Sequence, residues 1–226
     1  MSRSNTITTM FTPFRVLFCS AALVLANAQP LHAQKTDAAP AAEAAGGAQG
    51  SAEDQAFAQF VESIDWKTEG TGSLGSIADI HVPSGYRFTG SEGTIKLMEA
   101  FGNLTNGSEL GYIAPLDMGW FAVFEFNDIG YVKDDEKDKL DADAILDQMK
   151  EGQKAANEEL SSRGMSTLEV LGWQTPPNYN AETKNLEWAI RLRSSDGSEV
   201  LNFKTKLLGR RGVMDVVLVC DEQQLP

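Results

Sequence analysis

The chain has 226 residues, with 32 acidic against 19 basic side chains, a formal net charge of −13, two His and two Cys. So negative a balance argues against nucleic acid or an anionic membrane surface as the main partner, because phosphate binding needs a Lys/Arg surplus. The inventory is also thin for histidine catalysis, zinc chemistry or a disulfide framework, while 42% hydrophobic residues suit one globular domain with a tail.

Residues 1–28 read as a secretory signal. Arg3 and Arg15 supply positive charge, residues 16–26 form an apolar core, and Ala26-Asn27-Ala28 offers a small-x-small cleavage site, with Ala33 as the nearby alternative. The apolar run falls well short of the roughly 20 residues that span a bilayer, which favours cleavage over a permanent anchor. Cys19 lies inside the apolar core, the wrong place for lipoprotein processing. Cleavage would leave 17 basic against 32 acidic groups, a charge of −15, and Cys220 as the sole cysteine, expected buried in the last strand. Residues 29–52 are Ala/Gly-rich without periodicity and read as a spacer. The folded domain is expected over 53–222, with 223–226 a short tail.

Within that domain, Phe57, Phe60, Val61 and Ile64 recur at helical spacing over 53–64, with Trp66 following. Residues 73–83 read as one strand, stopped by Pro83-Ser84-Gly85. A second short helix is expected over 92–101, and strands over 110–114 and 120–126. In the latter, Trp120, Ala122, Phe124 and Phe126 alternate with Phe121, Val123 and Glu125, so both faces are mostly apolar and the strand should be central. The polar run 133–139 must be exposed. The longest helix is expected over 141–163, capped by Asp141 and stopped by Gly164, with Ile145, Met149, Gly152, Ala156 and Leu160 facing inward.

The remainder reads as an antiparallel meander. One strand covers 167–173 and is broken by Pro176-Pro177; a second covers 185–193, with Leu186, Trp188, Ile190 and Leu192 on one side. Asp196-Gly197 makes a hairpin turn, 200–208 returns, Gly209-Arg210-Arg211-Gly212 turns again, and 213–220 closes. The expected class is α+β: a single domain whose mainly antiparallel sheet packs against one long and two short helices.

Few constellations carry chemistry. Gly70-Thr71-Gly72-Ser73-Leu74-Gly75 has the spacing of a dinucleotide-binding loop, but a helix precedes it and a strand follows, the reverse of what pyrophosphate binding needs. It reads as an ordinary loop, and no cofactor is expected. An EF-hand counted from Asp134 would need Gly at Lys139 and Glu at Ile145, so the acidic stretch 134–143 reads as solvated loop, and no metal is assigned. His81 is an outward-facing residue on its strand. Glu125 and Glu187 lie in strands with an apolar side, where a carboxyl could be tuned for acid–base work, but nothing in the sequence pairs them.

Tyr86, Tyr112, Trp120, Tyr131 and Trp173 each follow a Gly. Rings that cover glycine backbone at strand ends are the preferred account. The functional alternative makes Trp120, Tyr131, Trp173 and Tyr179 binding residues around a cleft.

Several short motifs, Leu110-Gly111-Tyr112-Ile113-Ala114-Pro115, Gly130-Tyr131-Val132-Lys133-Asp134-Asp135, Gly172-Trp173 with Pro176-Pro177 and Tyr179, Leu186-Glu187-Trp188-Ala189 and Leu208-Gly209-Arg210-Arg211-Gly212, resemble in order those of a bacterial family of predicted membrane-anchored proteins built on a domain of unknown function. The likeness covers about residues 66–220 and brings no catalytic or ligand residue. It implies association with a membrane, yet the apolar spans that follow the last strand in that family are not found here, and attachment through them is not expected.

These readings lead to an exported, periplasmic, non-enzymatic domain that binds an envelope protein or a cell-wall component, and no nucleic acid. Two alternatives stand beside it. One is a hydrolase of an envelope polymer using Glu125 with Asp134 or Asp135; the other is a scaffold held at the inner membrane by an uncleaved N-terminus.

Overall fold

A computed structural model describes residues 52–221 except Glu136, with side chains from residue 55. The expected signal, all but the last residue of the spacer, and the tail lie outside the described residues.

Helix α1 (Ala52–Glu62) is followed by two short strands, β1 (Gly70–Leu74) and β2 (Ala78–Val82), paired as an antiparallel hairpin. This corrects the single strand expected over 73–83. Apolar residues recur through the segment at Leu74, Ile77, Ile80 and Val82, which masks the turn, but Gly75 takes φ +60 and the Ile77 N–H donates to the Leu74 carbonyl at 3.2 Å. The glycine-rich motif is therefore strand β1 and its turn rather than a loop, and Gly72 lies under Phe88, where a Cβ would come within 2.5 Å of the ring. Strand β3 (Tyr86–Gly90), not anticipated, leads into helix α2 (Ser91–Ala100). Gly93 lets that helix lie against β3, since a Cβ there would collide with Thr89.

Strands β4 (Glu109–Pro115) and β5 (Phe121–Asn127) extend β3 into a meander. Helix α3 (Ala142–Ser162) then lies toward the other edge of the sheet, on the same face as α1 and α2; the Asp141 carboxylate accepts from the Ala144 N–H at 3.0 Å as its N-cap. Its C-terminus is a Schellman arrangement: Gly164 at φ +70, with Met165 N–H on the Leu160 carbonyl and Gly164 N–H on that of Ser161.

The second meander comprises β6 (Leu168–Asn180), β7 (Asn185–Ser194), β8 (Glu199–Leu208) and β9 (Val213–Cys220). Strand β9 docks on β5, so one antiparallel sheet runs β3-β4-β5-β9-β8-β7-β6. Pro176 and Pro177 do not break β6, contrary to expectation. The strand is at the sheet edge, where an imide nitrogen forfeits no ladder bond on its outer side, and the pairing absorbs the prolines through register shifts between Trp173/Thr175 and Thr175/Asn178.

Layering follows from alternation. On one face of the sheet, α1 and α2 cover Tyr112, Ala114, Phe121, Val123, Val217 and Val219, and α3 covers Leu168, Val170, Leu192 and Val200 through Leu160. On the other face the β1–β2 hairpin packs Leu74 and Val82 on Phe88, Ile113, Ala122 and Met214. Leu97 and Leu160 are completely buried, and truncation of either to Ala costs roughly 2–5 kcal/mol.

Candidate functional site

The functional alternative set four aromatic residues around a cleft, against the preferred account in which such rings are structural. The structure places them at separate points. Trp120 meets Tyr86 edge-on at 5.8 Å beside the start of β5. Tyr131 is 67% exposed in the segment after β5, where the Gly130 N–H donates to the Arg211 carbonyl at 3.0 Å and so lays that segment along the β8–β9 turn. Trp173 and Tyr179 lie on edge strand β6. The Trp173 indole donates to the Ala142 carbonyl at 3.3 Å, which ties the strand to the start of α3.

Tyr179 is joined to Asp134, its hydroxyl donating to Oδ2 at 2.6 Å, with Lys137 Nζ 5.2 Å from the ring centroid and 3.8 Å from the same carboxylate oxygen. That hydrogen bond holds the Asp134 carboxyl below its usual range and pushes the phenol up to about 12. Asp135 is exposed beside it on the same segment.

Glu125 stands in a different environment. It is 1% exposed on the helix-covered face of β5, directly across from Asp215 of β9, which in turn lies across from Lys206 of β8. Lys206 Nζ is 2.7 and 2.9 Å from the two Asp215 oxygens, Lys204 Nζ is 3.4 Å away, and the Asn127 amide donates at 3.3 Å. Asp215 is completely buried, and the two lysine side chains are 15% and 14% exposed. On the β4 side, Glu109 pairs with Glu125 across the ladder and takes the Asn106 and Gly107 N–H groups at 3.1 and 2.9 Å.

Glu125 Oε2, Asn202 Oδ1 and Trp188 Nε1 are buried on this face without a hydrogen-bond partner. Desolvation pushes the Glu125 carboxyl upward, with Lys204 pulling the other way and Asp215 and Glu109 adding to the rise. Burial lowers the Lys206 ammonium, helped by Lys204 and opposed by Asp215. Chemically, the arrangement is an interior ion cluster with one carboxyl biased toward its neutral form.

Glu125 was singled out from sequence; Asp215, Lys204 and Lys206 were missed. Two signals could have found them. Asn202, Lys204 and Lys206 alternate with Leu201 and Phe203, which marks a polar face of β8, and Asp215 interrupts an otherwise apolar strand. Glu187 falls on the opposite face from Glu125, because it pairs with Thr205, and Thr205 with Val216. Among the described residues no group of three or more His, Cys, Asp or Glu side chains is placed to hold a metal ion. His81 is exposed, and Cys220 is a buried free thiol raised by desolvation.

The uncovered part of the sheet lies on the hairpin side. A groove of about 360 Å³ opens between the hairpin (Leu74, Ile77, Ile80), the sheet (Phe124, Phe126, Met214) and Leu207 before the β8–β9 turn. Leu207 is 38% exposed, and Ile129, on the segment laid along that turn, is 59% exposed. No described helix is long and apolar enough to cross a membrane.

No curated protein matches the chain. In structure it is similar, at a TM-score of 0.40 and 12% sequence identity, to cyanobacterial PsbP (CyanoP) from Synechocystis sp. PCC 6803, over 68% of this chain and 88% of that one. A likeness so distant carries no argument about function. Residues 66–226 match the model of DUF2167, described as a protein of unknown function, and the chain belongs to that family.

Proposed function

We propose that this is an exported, non-enzymatic binding or scaffold domain of the bacterial cell envelope, acting in the periplasm on a protein partner in preference to a cell-wall component. The observation that carries the reading is the groove with Leu207 exposed in its lining, next to the β8–β9 turn along which the segment of exposed Ile129 and Tyr131 is laid. Large side chains left in water beside a concave apolar surface are the usual mark of an interaction site. Of the four candidate aromatics, Tyr131, at 67% exposure, is the one retained as a binding residue in this reading, whereas Trp173 and Tyr179 are engaged in holding β6 to α3 and to the segment around Asp134.

Site-specific photocrosslinking in the native host tests this. A photoreactive residue at Leu207 or Tyr131 should yield a discrete adduct, and one at Glu158, on the exposed side of α3, should not. Equal labelling from all three positions, or none from Leu207 and Tyr131, would overturn the proposal.

One observation favours the hydrolase alternative: a buried carboxyl raised by desolvation is how a general acid is built, and Glu125 is one. Asp134, its candidate partner, is hydrogen-bonded to Tyr179 on the rim, so the two carboxyls sit in unlike surroundings. Release of soluble fragments from purified sacculi by the protein, abolished in Glu125→Gln, would establish that reading over the one preferred here.

A further inference from the structure

We infer that the groove receives a polypeptide segment carrying apolar side chains next to acidic ones, with the acidic residues lying over Arg210 and Arg211. The inference rests on the binding reading above and adds the chemistry of the partner.

Three observations lead to it. The groove is small, about 360 Å³, near the lower end of the range of about 300–1,000 Å³ for ligand pockets, so it admits side chains and not a folded element. Apolar exposure continues beside it: Leu207 in its lining is 38% exposed, and Ile129 and Tyr131, at 59% and 67%, lie on the segment hydrogen-bonded to the β8–β9 turn whose Gly209 and Gly212 line the groove, so a polypeptide can cover what a small ligand cannot. The third observation is charge. Gly209 and Gly212 line the groove, and the two residues between them, Arg210 and Arg211, are both exposed and make no ion pair with a described residue. The one acidic residue in the lining, Asp79, belongs to the hairpin on the opposite side.

On a chain of net charge −13, two exposed guanidinium groups with no ion pair to a described residue stand out as the cationic feature beside the groove. Other surface arginines of this protein are engaged: Arg163 with Glu159, and Arg193 with Glu169 and Glu199. Guanidinium is the side chain suited to paired recognition of carboxylates, and rim charges of this kind select partners and speed their association. A basic segment would meet Arg210 and Arg211 with like charge. An anionic lipid surface would match the arginines but, extending far beyond them, would also face the rest of the acidic chain, whereas a short acidic segment lying over the arginines is screened from most of it.

The test uses the purified protein and two sets of labelled twelve-residue peptides that share an apolar pair, flanked in one set by Asp and in the other by Lys, measured by fluorescence polarisation. Acidic peptides should bind about 3- to 10-fold tighter than basic ones, the scale of two exposed ion pairs, and the preference should fade with added salt. The double variant Arg210→Glu/Arg211→Glu should reverse the preference with its melting temperature unchanged. Leu207→Asp should weaken both sets. Binding without a charge preference, or a preference that survives the double variant, overturns the acidic partner and leaves the groove as a binding site. Absence of binding by either set overturns the groove itself. Binding of phosphatidylglycerol vesicles in place of the peptides overturns the polypeptide.

Discussion

Strands β5, β8 and β9 carry opposite chemistry on their two faces. Toward the helices they enclose Glu125, Asp215, Lys204 and Lys206; toward the hairpin they leave Phe124, Phe126 and Leu207 only partly covered. Charge is enclosed and apolar surface is open, the reverse of what stability alone would select. A buried ion pair is weak support for stability, because desolvating two charges offsets most of their attraction. It does select one register: sliding β9 by one residue along β8 would carry Asp215 to the other face and leave both lysines facing apolar neighbours. The enclosed face is thus where pairing is specified, and the open face is where the domain can meet something else.

Removing Asp215 should break the comparison most severely. Asp215→Ala strips the counter-charge from Lys206 and Lys204 and the acceptor from Asn127, all within 3.4 Å of its carboxylate. Stranding buried charge in this way costs roughly 3–5 kcal/mol, and the slight exposure of the lysines puts the loss near the lower figure. Urea denaturation would register it as a fall in midpoint, whereas a midpoint within experimental scatter of the parent would show the cluster to be solvated and the enclosed face misjudged.

Glu125→Gln should have a smaller effect of opposite sign. Because burial raises the folded-state pKa, the folded protein holds this proton more tightly than the unfolded chain does. The group's contribution is fully present below its unfolded pKa, about 4.5, and is lost as pH rises through the folded value. At pH 7, above the unfolded value, the native residue has lost some of that contribution; the amide, which does not titrate, has not. The variant should therefore match or exceed the parent by on the order of 1 kcal/mol at pH 7, and the advantage should vanish near pH 4. Melting curves across pH 4 to 8 would check this; a variant less stable at pH 7 would mean that the ionised carboxylate is favourably paired by Lys204.

Much of this architecture was legible in the residues. The cap at Asp141, the stop at Gly164, the hairpin at Asp196-Gly197 and the turn at 209–212 announce themselves through local chemistry, which needs no knowledge of the rest of the chain. Pro176 and Pro177 misled because a proline shows only that a donor is missing; whether the donor was needed depends on β6 being an edge. The ion cluster was half legible. Glu125 stood out inside an apolar strand, but its partners come from β8 and β9, and only the register across three strands brings them within reach. The groove could not be read at all, since it exists only where the hairpin fails to cover Leu207.

The smallest expected effect on stability belongs to Leu207→Asp. Leu207 pairs with Met214 across the β8–β9 ladder, so the two share a face, yet Met214 is 7% exposed and Leu207 38%. A carboxylate at 207 can turn into water, so it incurs no burial cost, and the methyl groups it replaces were only partly withdrawn from solvent. The change should stay within about 0.5 kcal/mol, as at ordinary surface positions. A protein that melts like its parent but no longer crosslinks or binds peptide would separate the open face from the fold. A loss of several kcal/mol would instead show that Leu207 belongs to the core, and the distinction between the enclosed and the open face would fail at the residue on which it most depends.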